Sequence, residues 1–358
     1  MSIKNQIKAY ILRRLTRKNS IDFDIKKAKN ILFLRYDRIG DMVITTPVFR
    51  ELKLVYPDIN IIVLASKDNQ GVLANNPYVD KVFINHKNNL LSDLLLLLKL
   101  RKQKLDVCVE FDHSVVPHAI IRLRIIKPKK VISVAKDGRY GVKGEDLKLY
   151  DYFTEKTKDS HFRDIWLNTL NPFYISPKST KYELFCTDQQ KKKATDFLFR
   201  FDQKILIGIN IKGAVKGKEI TLDKLKGICT GLYEATKEVQ IILLSSPKTY
   251  RNIVGLSMNI KLPYVMPGYK TESILDAAAL IQNLNLIITP DTSIVHIASA
   301  FDVPVLSIHE KNQDSYSLFA PTSKFSKTVF SEFSDRLDGY NVDSIIKESV
   351  NLLEKNES

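Results

Sequence analysis

The sequence predicts an α/β fold built from two successive doubly wound domains. Short apolar runs alternate with helical patterns over residues 30–134 and again over residues 205–308. The run at residues 61–64 is apolar without alternation, which is typical of a parallel strand covered by helices on both faces. A series in which strands alternate with helices predicts a parallel sheet, and a length of 358 residues is sufficient for two such domains.

The predicted elements follow from these patterns in chain order. In the first series, strands are predicted at residues 31–34, 59–65, 81–84, 107–111 and 131–134. A helical run begins at residue 43 and includes residues 47–56, and further helices are predicted at 69–75, 90–102 and 115–124. In the second series, strands are predicted at residues 205–209, 240–244, 286–289 and 305–308, with helices at 222–236, 248–256, 273–282 and 292–301. A last helix is predicted at residues 342–353.

The domain boundaries are predicted from composition. Residues 1–28 are expected to contain a basic amphipathic helix, residues 29–172 the N-terminal domain and residues 173–358 the C-terminal domain with its terminal helix. Pro and Ser punctuate residues 171–177, as in a linker. Residues 136–165 lose the alternating pattern and are expected to form a loop.

The charge balance indicates an anionic partner. Lys and Arg number 55 against 40 Asp and Glu, which gives a net charge of +15. Such a surface attracts nucleic acid, anionic lipid or phosphorylated glycans. A helix-turn-helix signature, zinc-finger spacing and an aromatic RNA-binding strand are all missing from the sequence, so nucleic acid is not expected as a partner. The three cysteines are scattered, which argues against a disulfide framework or a zinc site.

The first 20 residues have two interpretations. Ile3, Ile7, Ile11 and Leu15 recur at helical spacing among many basic residues. This pattern predicts either a helix lying on an anionic membrane face or a solvated helix packed on the body of the protein. The longest apolar run, residues 94–98, is far shorter than the ~20 residues of a membrane span.

Asp41 is the first candidate site residue. It follows an apolar run at residues 31–34 and a turn containing Gly40, and it opens a helical pattern. Ligands of doubly wound sheets bind at the carboxyl ends of the strands, so Asp41 can point into a ligand crevice. The alternative is that Asp41 only caps the following helix.

A second candidate site follows the predicted strand at residues 286–289. Asp291, Thr292 and Ser293 open the next helix, whose free backbone N–H groups and dipole favour a phosphate. The alternative is that Asp291 is a helix cap and that nothing binds. His296 lies on the same helix, where a helper or packing role is expected.

Lys216 and Lys218 form a third candidate. They lie in a glycine-containing loop after the strand at residues 205–209, and such a loop can bring cations close to a phosphate. Taken alone, the loop is better explained as a solvated basic surface.

Together these stretches resemble the lipopolysaccharide heptosyltransferases, glycosyltransferase family 9. Residues 31–35, 39–43 and 45–47 look like the opening motif of that family. Residues 291–293, followed by His296, resemble its second signature, an Asp-Thr-Gly with a His one helical turn later. Lys218 stands where the family has a Lys before a Trp-Pro pair. The resemblance spans about residues 30 to 325.

The resemblance implies the GT-B arrangement, two Rossmann-like domains facing across a cleft. The N-terminal domain would bind the acceptor and the C-terminal domain the nucleotide-sugar, with no metal ion. Asp41 would be the general base of an inverting transfer. Lys218 and the N–H groups at Thr292 and Ser293 would stabilise the leaving diphosphate, and Asp291 would hold hydroxyls of the donor sugar or fix the turn.

The implied substrates are anionic. Arg35 and Arg38 could hold a carboxylate or phosphate of the acceptor. The implied donor is ADP-heptose, a substrate rather than a cofactor, and the implied acceptor is a lipopolysaccharide core or a related glycolipid. Such an enzyme is expected in the cytoplasm, peripheral to the inner membrane, with residues 1–20 on the membrane surface.

Four departures from the family pattern leave alternatives open. Ser293 replaces the usual Gly, and Ile220-Thr221 replaces Trp-Pro. Residues 245–248 lack the Gly-rich turn and the acidic residue expected to bind the ribose of the nucleotide, and His309-Glu310 stands where Phe-Gly is common. All four lie in the donor domain. The alternatives are a transferase of another nucleotide sugar in cell-surface polysaccharide synthesis, an epimerase on a GT-B scaffold, or a non-catalytic glycan-binding relative.

Overall fold

The computed structural model describes residues 3–18, 21–86, 89–155, 160–201, 203–213 and 217–357. The chain forms two compact units, which we call unit 1 (up to Thr180) and unit 2 (from Lys181). This division falls later than the boundary predicted between residues 172 and 173. The reason is that the intervening segment bonds to unit 1: Lys178 N–H donates to the Glu51 carboxylate at 2.7 Å, and Arg50 donates to the Ser179 carbonyl at 2.6 Å.

Unit 1 contains a six-stranded parallel sheet. Its strands are β1 (Asn30–Arg35), β2 (Asn60–Ala65), β3 (Lys81–Ile84), β4 (Val107–Glu110), β5 (Lys130–Val134) and β6 (Tyr152–Thr154). Their order in the sheet is β3-β2-β1-β4-β5-β6. The helices are α1 (Ile3–Leu15), α2 (Ile39–Val55), α3 (Leu90–Arg101), α4 (Pro117–Ile126) and α5 (Phe162–Leu167).

Unit 2 repeats this topology. Its strands are β7 (Ile205–Asn210), β8 (Val239–Leu244), β9 (Val265–Pro267), β10 (Leu286–Pro290), β11 (Val305–His309) and β12 (Ser326–Phe330), in the order β12-β11-β10-β7-β8-β9. The helices are α6 (Asp188–Leu198), α7 (Leu222–Thr236), α8 (Tyr250–Ile260), α9 (Ile274–Ile281), α10 (Ser293–Ala300), α11 (Gln313–Phe319) and α12 (Val342–Glu357). All the strand pairs are parallel.

Each sheet reverses its strand order at its centre. The first strand of unit 1, β1, pairs with both β2 and β4, and β7 of unit 2 pairs in the same way with β8 and β10. In doubly wound sheets this reversal opens a crevice at the carboxyl ends of the two central strands. The loops after β1, β4, β7 and β10 are therefore where ligands are expected.

The sequence patterns missed several short elements. The loop predicted at residues 136–165 contains β6 and most of α5, and β9 lies between the helices predicted at 248–256 and 273–282, where no strand was predicted. Both strands have three residues and lie at sheet edges, too short to show a period. The helix predicted at residues 69–75 is only a 3-10 turn, Gln70–Leu73.

The N-terminal helix packs on unit 1. Ala9 and Leu12 of α1 are buried in the same apolar cluster as residues of α3 and α4. Among the helices that the structure describes, none has the apolar length that a membrane crossing needs.

Candidate active site

Asp41 lies in the first turn of α2, after the loop that follows β1. This loop is at the reversal point of the first sheet. Asp41 Oδ2 accepts a hydrogen bond from the backbone N–H of Arg38 at 3.3 Å, so the carboxylate does cap the helix. A carboxylate has two oxygens and about four acceptor positions, so capping and proton abstraction are compatible.

The surroundings of Asp41 make it a stronger base than an ordinary aspartate. Burial raises the pKa of Asp41 to about 6, and the Asp37 charge adds to the increase, while Arg35 and the Arg38 N–H oppose it. At pH 7 most of this carboxyl group is ionised. A base with a pKa near the working pH combines the correct ionisation state with a useful affinity for the proton.

Arg35 ends β1 and is 2% exposed. Its Nε donates to Thr45 Oγ1 at 2.9 Å and to the Asp41 carbonyl at 3.3 Å, and its Nη1 lies 2.7 Å from Asp37 Oδ2. The guanidinium also lies 3.6 Å from the centre of the Trp166 ring. These contacts fix the loop and the first turn of α2, so Arg35 positions Asp41.

The role of the two arginines at the acceptor stays a prediction. Nη2 of Arg35 is buried and has no hydrogen-bond partner among the residues that the structure describes, so it is the Arg35 atom left for an anion. Arg38, in contrast to the buried Arg35, is exposed. An anionic acceptor would therefore meet Arg38 first.

A buried acidic pair lies at the end of β4, next to β1. Lys136 Nζ forms an ion pair with Glu110, and the two side chains are 0% and 1% exposed. Lys136 also donates to the carbonyl of Asp112 at 2.6 Å. Burial alone would raise the pKa of Glu110, but Lys136 and the Asp112 N–H hold it below its usual value.

Asp112 is the protonated member of this pair. Burial, the neighbouring Glu110 charge and, to a smaller extent, the Asp37 charge raise the pKa of Asp112 to about 8, against the lowering effect of Lys136. At neutral pH one carboxyl is therefore ionised and the other carries a proton. The reversal point of unit 1 thus contains a carboxylate base, Asp41, and a carboxyl group that can donate a hydrogen bond.

Asp291 and Thr292 lie at the reversal point of unit 2, between β10 and α10, and Ser293 is the first residue of α10. Thr292 is the N-cap of α10, and its Oγ1 accepts a 3.3 Å hydrogen bond from the backbone N–H two residues later. Asn210, at the end of β7, donates to Thr292 Oγ1 at 3.1 Å and to Thr289 Oγ1 at 3.0 Å. Both central strands thus hold the turn that presents the first N–H groups of α10.

Lys218 is held by an acidic partner that the sequence patterns did not pair with it. Lys218 Nζ forms an ion pair with the buried carboxylate of Glu310, directly after β11. The prediction placed Lys218 beside a diphosphate. In the structure, Lys218 can bind a diphosphate only if its ammonium group leaves Glu310 or contacts Glu310 and the diphosphate together. Lys216 lies outside the described residues.

His309 connects Asp291 to this ion pair. Its Nε2 lies 3.5 Å from Asp291 Oδ2, and its Nδ1 lies 2.8 Å from the Glu310 carbonyl. Burial lowers the pKa of His309, but its contacts with Asp291 and Glu310 outweigh burial and raise it. Burial would raise the pKa of Asp291, but His309, His296 and Lys218 lower it. The site therefore holds an alternating set of positive and negative groups.

His296 lies in the interior of unit 2. It is 3% exposed, and its ring centre is 6.2 Å from those of Tyr182 and Phe319. This placement fits the packing role expected for it, and the histidine also lowers the pKa of Asp291. The resemblance also places His296 among the donor-binding residues, and direct contact between His296 and a donor stays a prediction.

Sequence patterns did not identify Glu110, Asp112, Lys136 or Asn210 as site residues. Glu110 and Asn210 are the last residues of β4 and β7. They could have been found by asking which polar residues end the strands beside the reversal points. That rule requires the strand order, which periodicity does not provide.

Comparisons with known proteins find a match to a glycosyltransferase family. Residues 230–335 match the model of glycosyltransferase family 9 (heptosyltransferase). Lipopolysaccharide heptosyltransferase 1 of Campylobacter coli is 20% identical over 300 residues, which cover 78% of this chain and 83% of that relative.

Solved structures match both units. A glycosyltransferase family 9 protein from Veillonella parvula DSM 2008 superposes with a TM-score of 0.76 at 16% identity, covering 94% of this chain and 100% of the other. The E. coli ADP-heptose lipopolysaccharide heptosyltransferase II gives a TM-score of 0.70 at 15% identity, covering 92% and 100%. These similarities confirm the predicted GT-B fold class of two Rossmann-like units. The two sequence motifs lie at the reversal points of units 1 and 2, and residues 230–335 match the family model, so this part of the chain is similar to glycosyltransferase family 9.

Proposed function

We propose that this enzyme moves heptose from ADP-heptose to a lipopolysaccharide core or a related anionic glycan, with inversion at the anomeric carbon and without a metal ion. The names of its relatives support the substrate class, since one is an ADP-heptose lipopolysaccharide heptosyltransferase. The observation that carries the proposal is Asp41, a buried carboxylate with a pKa of about 6 at the reversal point of unit 1.

Asp41 acts as the base in a single displacement. A sugar hydroxyl is a poor nucleophile at neutral pH, so the carboxylate removes its proton as the new C1–O bond forms. The bond from C1 to the diphosphate breaks on the opposite face, and this single displacement inverts the anomeric carbon. Arg35 keeps Asp41 in place through the bonds to Thr45 and to the Asp41 carbonyl.

Unit 2 holds the donor in this proposal. The departing ADP gains negative charge, which the first N–H groups of α10 and Lys218 stabilise. As the donor binds, the Lys218 ammonium would leave its ion pair with Glu310 and pair with the diphosphate instead. Asp291, held ionised beside His309, accepts hydrogen bonds from hydroxyls of the donor sugar.

The test is transfer by Asp41→Asn and Asp41→Ala. ADP release is measured with ADP-heptose and a lipopolysaccharide-core acceptor, and ADP affinity is measured by calorimetry as a control for an intact unit 2. We expect a rate loss of about 10²–10⁴ with unchanged ADP affinity. Transfer near the wild-type rate by a folded variant contradicts the base assignment.

Two further measurements test the donor and the metal. A panel of ADP- and UDP-sugars identifies the donor, and turnover of a UDP-sugar alone contradicts ADP-heptose. This panel is needed because His309 and Glu310 lie beside the candidate donor groups. Chelation with EDTA is expected to leave the rate unchanged, and loss of activity that Mg²⁺ restores contradicts a metal-independent reaction.

We also propose that residues 1–20 meet the cytoplasmic surface of the inner membrane, where a lipid-anchored acceptor would be found. The support is that α1 exposes Ile7, Tyr10 and Ile11 beside basic residues and has no acidic residue. Deleting residues 1–20 is expected to reduce sedimentation of the protein with anionic vesicles. Unchanged sedimentation contradicts a role for this segment.

A further inference from the structure

Helix α3 exposes a row of leucines that the core of unit 1 does not explain. The row, which we call the leucine face, consists of Leu90, Leu91, Leu94, Leu95 and Leu98, exposed by 91%, 67%, 43%, 59% and 40%. Their spacing places them on one side of the helix. The opposite side is buried through Leu96, Leu97 and Leu100. Because one apolar side of α3 packs in the core, the exposed apolar side is available to contact a second apolar surface or medium.

The neighbouring helices extend this surface. α4 packs against both α3 and α1, and it exposes Ile121. On α1 the exposed apolar side chains are Ile7, Tyr10 and Ile11. The three helices share one buried cluster, so they cover the same face of the sheet. Exposed apolar side chains therefore recur along one helical layer.

The charges of this layer favour an anionic medium. Across α1, α3 and α4 the sole acidic residue is Asp93, and it pairs with Arg122 at 3.1 Å. Exposed basic residues lie along all three helices or at their ends: Lys8, Arg13, Arg14, Arg17, Lys99, Arg101, Lys102, Arg124 and Lys127. Apolar side chains with flanking Lys and Arg are typical of helices that lie in the interface of an anionic bilayer.

We propose that the leucine face of α3 inserts into the interfacial region of an anionic lipid bilayer, with α4 and α1 lying alongside it. This assigns the main apolar contact to α3 rather than to the N-terminal segment. The basic residues of the layer contact lipid phosphates. The inference rests on exposure and charge and does not depend on the transfer reaction.

The position of α3 connects the bilayer to the reversal point. A helix that follows a parallel strand begins at the carboxyl edge of the sheet. Leu90 and Leu91, the first residues of α3, therefore lie at the same edge of the sheet as Asp41. If the acceptor is lipid-anchored, as in the proposed function, the bilayer would present it at this edge.

The experiment is sedimentation of the full chain with vesicles of phosphatidylglycerol and phosphatidylcholine, or of phosphatidylcholine alone. The test variant combines Leu91→Gln, Leu95→Gln and Leu98→Gln, because glutamine keeps the helix propensity and these side chains are exposed. The control combines Leu54→Gln, Phe199→Gln and Met258→Gln, which removes apolar side chains exposed by 59%, 81% and 68% elsewhere. We expect the test variant to bind phosphatidylglycerol vesicles at least about 30-fold more weakly and the control to bind as wild type.

Three results would overturn the proposal. In the first, wild-type protein does not sediment with the anionic vesicles. In the second, the test variant binds them as tightly as wild type, so that basic charge alone explains the binding. In the third, light scattering shows a wild-type dimer that the test variant converts to a monomer with vesicle binding unchanged, which identifies the leucine face as an interface between copies of the chain.

Discussion

Replacing Lys136 by Met tests whether the buried ion pair at the reversal point of unit 1 has the arrangement described. The change removes the ammonium group from a carboxylate that is 1% exposed, and Met refills most of the space. Breaking a buried pair on one side costs about 3–5 kcal/mol. Glu110 keeps hydrogen bonds from Ser133 Oγ at 3.0 Å and from the Asp112 N–H at 2.8 Å. We therefore expect a loss near the lower end, about 3 kcal/mol.

The pH dependence of this loss gives a sharper test. In the wild type, the lowered pKa of Glu110 adds stability above its unfolded pKa, and that stability is lost as the pH falls through the folded value. In Lys136→Met, burial without the ammonium raises the folded pKa of Glu110 above the unfolded value. The variant then regains stability on acidification, by up to about 1.4 kcal/mol per pH unit relative to wild type.

Urea unfolding followed by tryptophan fluorescence measures the free energy of unfolding of unit 1 at each pH. Trp166 is the single tryptophan of the chain and is buried in unit 1. The matched control is Lys129→Met, which breaks the ion pair with Asp106 through a lysine that is 46% exposed, and it is expected to cost less than about 1 kcal/mol. Glu110→Gln combined with Lys136→Met should recover most of the loss. A Lys136→Met variant as stable as this control, or with the wild-type pH dependence, refutes the reasoning.

Three more predictions concern the candidate site. The transfer rate falls as the pH drops below about 6, because protonated Asp41 cannot accept a proton, and a kcat that stays flat down to about pH 5 speaks against it. Glu310→Gln lowers the pKa of His309, because a charge that favours the imidazolium is removed, and an NMR titration showing an unchanged or higher pKa rejects this. Gly213→Ala is expected to weaken ADP binding about tenfold, because the added Cβ would lie 1.6 Å from the Lys218 carbonyl oxygen and displace the backbone at Lys218. An ADP affinity equal to that of the wild type, measured by calorimetry, argues against this prediction.

A glycine elsewhere in unit 2 provides the control for the last variant. Gly255 lies inside α8, and nothing is within 4 Å of a Cβ added there. Gly255→Ala is therefore expected to leave ADP affinity unchanged and to stabilise the helix by roughly 0.5–1 kcal/mol.

Local patterns were sufficient to predict the main elements beside the site. The apolar run of β1, the turn with Gly40 and the start of α2 are adjacent in sequence, so Asp41 could be assigned to the start of the helix that follows a central strand. The same holds for β10 and the turn at Asp291. In both cases the parallel sheet makes the side chain a candidate for ligand binding, because the carboxyl ends of the strands lie at one edge of the sheet, where ligands bind.

Contacts between distant segments could not be predicted in this way. Glu110 and Lys136 meet because β4 and β5 are neighbours in the sheet, and Lys218 meets Glu310 across an even longer separation in sequence. Periodicity reports which residues are buried, but it does not report which strands are adjacent. The departure at His309-Glu310 was visible in the sequence, whereas its role as the partner of Lys218 and Asp291 was not.

The position of the first strand at the centre of each sheet has a consequence during synthesis of the chain. β1 emerges from the ribosome first, but one of its two neighbours, β4, is made only after β2, β3 and the intervening helices. Until then, one long edge of β1 is unpaired and open to wrong partners. All six strands of unit 1 are complete by Thr154, before unit 2 begins at Lys181. The N-terminal sheet can therefore close while unit 2 is still being translated, and the second sheet then repeats the same interval of exposure.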